Sequence, residues 1–169
     1  MDITELILDE HHRQRRMFAM LEDTDPSNQN ALGVLWNRLC TVLEVHAAAE
    51  EELFYPHLLK FGAGLGDESV DDEVIDVIKD HNQIRDAIRE SVGRAVGSDG
   101  WWAAVRKTNV ANSDHMAEEE RDDLADFRRN APLQLRHDIA LAFATFEAEH
   151  VDGVEVADRD PERYIEEHR

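Results

Sequence analysis

Four histidines stand at nearly equal intervals along this chain, and few folds can use them all. His11, His46, His81 and His115 are separated by 35, 35 and 34 residues. Two of them open a His-x-x-x-Glu pair, His46 with Glu50 and His115 with Glu119. On a helix, residues four apart share a face, so each pair points to one spot. In residues 39–58 that face is also the apolar one, because Leu39, Val42, Leu43, Leu53 and Phe54 recur at helical spacing around His46 and Glu50. An imidazole and a carboxylate sent inward need a partner, since an unpaired buried charge is expensive. A metal ion is one such partner. The order His, then His-x-x-x-Glu, occurs twice, about seventy residues apart.

Helical periodicity runs through the chain, and strand-like alternation is absent from it. A first helix is predicted over about 2–23, with Ile3, Ile7, Leu8, Phe18 and Leu21 on one face, ended by the turn-rich segment 23–30. A second runs from about Ala31 to Lys60 and stops at a segment with three glycines in five residues. The third, about Val70 to Val96, carries Val74, Val77, Ile78, Ile84, Ile88 and Val92; Asp99 is a cap for the fourth, which reaches about Arg128. Pro132 suits the first turn of a fifth helix bearing Leu135, Ile139, Phe143 and Phe146. Four long helices with short loops predict an all-α, up-down-up-down four-helix bundle with an additional C-terminal helix. Each of the four histidines lies near the middle of its helix, so all four meet at one height in the core. Residues 1–150 form this bundle, and 151–169 are expected to be an exposed or loosely docked acidic tail.

His11 and His12 point about 100° apart, so only one can face inward. His11 has Ile7 and Leu8 before it and Phe18 after, the same setting that Val77, Ile78 and Ile88 give His81. His11 is therefore the inward residue. His57 lies about 16 Å further along the axis than His46 and cannot join the same site. His150 is a reserve ligand; His137 and His168 read as surface residues. Tyr55, five residues past Glu50, points off the stripe. Arg15 and Arg85, each four residues after a histidine, either pair with nearby carboxylates or lie in surface ion pairs.

Net charge is −20, which argues against nucleic acid and anionic membranes as partners. No apolar run approaches the ~20 residues that span a bilayer, and the N-terminus lacks a leader pattern, so a cytoplasmic protein is expected. The lone Cys40 excludes an internal disulfide and reads as a core-edge residue. A monomer or weak homo-oligomer is expected.

The run His46-Ala-Ala-Ala-Glu50-Glu51-Glu52-Leu-Phe-Tyr-Pro56 is similar to the motif of hemerythrin-like proteins of the HHE cation-binding class. His115-Met-Ala-Glu-Glu119-Glu120 resembles its second copy without the trailing proline, and the resemblance covers roughly residues 1 to 128. It implies a non-haem di-iron site, oxo- or hydroxo-bridged, with manganese or zinc as substitutes. His11, His46, His81 and His115 would be terminal ligands, Glu50 and Glu119 bridging ones. The chain departs from the oxygen-carrying members at Arg85, where they resemble a second histidine four residues on, and at Glu120, where they place an aspartate. This departure puts reversible oxygen carriage in doubt and leans the expected function toward an oxidoreductase that consumes hydrogen peroxide. The alternatives are a module that binds or senses oxygen, nitric oxide or iron without turnover, and a plain bundle held by a buried polar network.

Overall fold

A computed structural model describes residues 1–64 and 69–169, and among these the chain is helical without strands. Helix α1 spans Ile3–Asp23 and α2 spans Gln29–Ala49. One π-helical turn, Glu50–Phe54, joins α2 to α3, Tyr55–Phe61. Then come α4, Val70–Arg89, α5, Asp99–Arg121, α6, Asp123–Asn130, α7, Leu133–Glu149, and α8, Pro161–His168. The bundle consists of α1, α2 continued by α3, α4, and α5, each packed on two of the others. Helix α7 lies across α1 and α2, and α8 lies on α4.

Local sequence sets the helix starts. Asp2 accepts the Thr4 amide, and Asn28 the Ala31 amide. Ser69 and Asp72 form a reciprocal box at the head of α4. Ser98, rather than Asp99, caps α5 by accepting from the Trp101 amide. The third helix is shorter than its periodicity predicts: it ends at Arg89, a turn follows with Gly93 at φ 77°, and Val92 is left exposed. The fourth is interrupted at Asp122, and Pro132 caps α7 from just outside its first turn.

The glycine-rich break after Lys60 lies partly outside the described residues. In its described part, the Asp126 carboxylate accepts the Ala63 and Gly64 amides at 2.7 and 3.2 Å. A Cβ at Gly62 would stand 2.7 Å from that carboxylate and 2.8 Å from the Leu58 carbonyl, so only glycine lets the chain pass.

The core is two hydrophobic clusters with a polar layer between them. At one end Ile3, Ile7, Phe54, Leu58, Val74, Ile78, Phe127 and Phe143 pack together. At the other, Phe18, Leu32, Trp36, Leu39, Leu43, Ile84, Ile88 and Trp101 do so. In sequence, His11 falls between Ile7 and Phe18, and His46 between Leu43 and Phe54. His81 falls between Ile78 and Ile84, and His115 between Val105 and Leu124. The histidines therefore form the layer that separates the two clusters.

The segment 151–169, expected to be exposed or loosely docked, is held down. Tyr164 and Ile165 are buried and belong to the first cluster. Asp158 makes two hydrogen bonds of 2.8 Å with Arg89, and Asn82 exchanges two with the Arg159 backbone. The acidic composition masks two apolar residues one position apart on a short amphipathic helix.

Candidate metal centre

Six side chains singled out by spacing converge in the polar layer: His11, His46, Glu50, His81, His115 and Glu119 are all buried. His12 is exposed, so the first helix presents His11 as its apolar neighbours require. The ligand-capable atoms of His11, His46 and Glu50 lie within 4.8 Å of one another, as do those of Glu50, His81 and His115. Glu50 belongs to both groups. Its Oε1 is 2.9 Å from His46 Nε2 and its Oε2 is 3.4 Å from His81 Nε2, so the carboxylate turns one oxygen to each half of the site. Glu119 also reaches both halves, through one atom: Oε2 is 3.2 Å from His11 Nε2 and 3.9 Å from His115 Nε2. Its Oε1 accepts a hydrogen bond of 2.8 Å from the Tyr55 hydroxyl.

Tyr55 at the site is a correction to the helical-wheel reading. On an unbroken α-helix a residue five past Glu50 sits about 140° away. Here the Tyr55 amide donates to the Glu50 carbonyl five residues back, and this wider turn brings Tyr55 round to where a fourth residue would stand. Pro56 supplies the cause. It has no N–H for the Glu52 carbonyl and its ring crowds that carbonyl, so the turn opens.

Each half is braced from outside in the same way. His11 Nδ1 faces Glu120 Oε1 at 2.9 Å, and His81 Nδ1 faces Glu51 Oε1 at 2.8 Å. Arg15 meets Glu120 at 2.8 Å, and Arg85 meets Glu51 at 2.7 Å. Both arginines thus pair with the carboxylates next to the site. A carboxylate on Nδ1 fixes the tautomer with the proton on Nδ1 and turns the Nε2 lone pair inward. Glu51 and Glu120 were not assigned this role from sequence. The available signal was the doubled glutamate after each His-x-x-x, with an arginine one turn beyond the histidine on the facing helix. Glu52 and Glu118 are exposed.

The electrostatics follow the packing. Burial lowers the His11 and His81 pKa, but Glu119 and Glu120 on one, and Glu50 and Glu51 on the other, overcome this and raise both to about 9. Burial, reinforced by the His81 charge, holds His115 well below the usual histidine range. Burial acts against the charge of Glu50, which His46 and His81 nevertheless hold ionised. Burial and the Glu50 charge push Glu119 up.

The inward-facing atoms His11 Nε2, His46 Nε2, both Glu50 carboxylate oxygens and Glu119 Oε2 face one another without making an aligned hydrogen bond. Buried imidazole nitrogens and carboxylate oxygens converge here as a donor set suited to divalent first-row metals, whose binding would displace the Nε2 protons of His11 and His81. The residues therefore fit such ions. His150 is not among them: its Nδ1 lies 2.8 Å from the Phe146 carbonyl of its own helix, and its ring stacks on Phe146. His57 and His137 also lie outside the cluster. Phe143 of α7 closes the site by packing edge-on to the His46 ring at 5.6 Å.

On the opposite side an open acidic cleft of about 260 Å³ leads from solvent to His115 and Glu119. Among the described residues no helix is long and apolar enough to cross a membrane.

Comparison with known families matches residues 2–127 to the hemerythrin HHE cation binding domain. Neither the curated proteins nor the solved structures gave a match. The family match and the buried His/Glu cluster together mark a metal-binding helical protein.

Proposed function

Because the chain belongs to the hemerythrin HHE cation-binding domain family, we propose that its core holds two non-haem iron ions and consumes hydrogen peroxide. His11 and His46 would serve one ion, His81 and His115 the other, with Glu50 and Glu119 shared between them. The observation that carries this reading is the Glu50 carboxylate, which aims one oxygen at each histidine pair. Iron held so supplies one-electron redox cycling and open positions for a small oxidant.

The chain's own groups do the rest. Glu51 and Glu120 hold the proton on Nδ1 of His81 and His11, which keeps each Nε2 free as a donor. Tyr55 donates a hydrogen bond to Glu119 Oε1 and so leaves Oε2 as the inward atom. The two apolar clusters above and below exclude water, and the acidic cleft beside His115 and Glu119 gives a small uncharged molecule a way in. Arg85, at the place of the carriers' extra histidine, is committed to Glu51 and offers no lone pair. A site with one imidazole fewer is more open and more carboxylate-weighted, which favours turnover over carriage.

The reaction is disproportionation: one peroxide is oxidised to dioxygen while a second is reduced to two waters. Iron-loaded protein should evolve oxygen from hydrogen peroxide and should give no oxygenated form that releases oxygen under vacuum. A spectrum that follows oxygen pressure reversibly, with peroxide left unconsumed, would replace this function by binding or sensing of oxygen or nitric oxide.

A second expectation concerns the first helix. His11→Ala should lower the iron content, whereas His12→Ala, on the exposed face, should leave it within error of the parent protein. Elemental analysis of the two variants decides this, and the reverse result would mean that α1 is rotated by one residue.

A further inference from the structure

The two halves of the site match through Glu120–Arg15 and Glu51–Arg85, and then differ. Glu51 has a further set of partners, contributed by the C-terminal segment. Arg159 Nε donates to Glu51 Oε2 at 2.6 Å, and the Tyr164 hydroxyl donates to the Glu51 backbone carbonyl. Glu51 is consequently buried, its side chain 1% exposed, whereas Glu120, with Arg15 and His11 on a single oxygen, is 25% exposed. Both partners lie beyond the family match, which ends at residue 127. They reach Glu51 because residues 158–159 are tied to Arg89 and Asn82 on α4, and because Tyr164 and Ile165 are buried against the same end of the bundle.

We infer that this C-terminal strap positions one half of the metal site, with Arg159 and Tyr164 holding Glu51, and Glu51 holding the His81 ring. The inference rests on the metal-binding reading above and deepens it by making the two halves unequal. Both Glu51 oxygens are engaged, Oε1 by His81 and Arg85 and Oε2 by Arg159, so the carboxylate cannot swing away from His81. Glu120 has an exposed edge and can turn. His81 should therefore keep its orientation, and its half should keep its metal, better than the His11 half. The Arg159 side chain is 42% exposed, so solvent ions compete for it and the brace should weaken with salt. Arg159 and Tyr164 are positioning residues: they touch neither the metal donors' inward atoms nor the space between them.

The test uses full-length, zinc-loaded protein, which is diamagnetic. The Nδ1–H protons of His11 and His81 should give two separate downfield signals, with that of His81 exchanging more slowly with water. Arg159→Ala should speed exchange at His81 about tenfold, the lower end of what loss of an outer partner does to a metal site, and leave His11 unchanged. Arg159→Lys, which retains the charge without the planar fork, should fall between. Tyr164→Phe, which removes the hydrogen bond to the Glu51 carbonyl, should also speed exchange at His81. Transfer of the more tightly held zinc to a chelator should quicken in parallel and lose its salt dependence in Arg159→Ala. If His11 and His81 accelerate equally, the segment merely stabilises the fold and the inference fails. If neither changes while zinc is bound, the inference fails alone. If the parent protein takes up neither zinc nor iron, the metal-binding reading fails and the inference falls with it.

Discussion

Glu50→Ala should disable both halves of the site at once. Iron content is expected to drop from about two ions per chain to well below one, by elemental analysis of protein from iron-supplemented cells. Peroxide consumption should fall by more than about a hundredfold, the upper limit for removing only an outer partner of a metal ligand. The reason is geometric: Oε1 meets the His46 side and Oε2 the His81 side, and among the described residues no other offers a separate atom to each half. Glu119 reaches both through one oxygen, its other being taken by Tyr55, and its removal should be milder. Glu50→Gln separates charge from shape. It keeps one acceptor oxygen and the packing, so it should hold iron more weakly than the parent and better than the alanine variant. A Glu50→Ala protein that still carries two irons would show that the carboxylate is not shared.

What made this site legible in the sequence was its repetition. Four histidines at equal spacing, two followed by glutamate at the helical interval, specify a height and a face on each of four helices, and the bundle brings equal heights together. The apolar neighbours of His11 were enough to prefer it to His12. The wheel failed where the helix was not regular. At about 100° per residue Tyr55 falls off the stripe, but the turn before Pro56 is widened and brings it back. Glu51 and Glu120 were hidden for a different reason: a residue next to a buried one on its own helix reads as flank, and its partner, His81 or His11, is 30 or 109 residues away. The strap was hidden by composition. Its apolar docking rests on Tyr164 and Ile165, in a segment otherwise rich in charge, and two apolar residues are too few to register as periodicity.

Replacing Arg85 by Met should destabilise the metal-free protein strongly. The Arg85 and Glu51 side chains are 5% and 1% exposed and 2.7 Å apart, and Arg85 also donates to Asn82 at 3.3 Å. Methionine preserves much of the stem's packing while removing the cation, so Glu51 remains buried with one charged partner fewer. Breaking such a pair costs about 3 kcal/mol, more than a surface bridge and mainly through the stranded charge. For a chain of this size that lowers the thermal midpoint by about 6–12 °C. The pH dependence has a definite sign. Burial acts against the Glu51 charge, but His81 and Arg85 overcome it and hold the carboxyl at about 2. A carboxyl depressed on folding contributes stability in full above its unfolded value, about 4.3, and loses it as pH falls towards 2. The gap between parent and Arg85→Met should accordingly be widest above about pH 5 and should close as acid protonates Glu51 in both. Adding Glu51→Gln to Arg85→Met removes the stranded charge and should restore part of the midpoint at pH 7. Calorimetry of the three metal-free proteins across pH 3–7 supplies the measurement. Equal midpoints for parent and Arg85→Met at neutral pH would mean that Arg159 and His81 alone suffice to hold Glu51 ionised in the core.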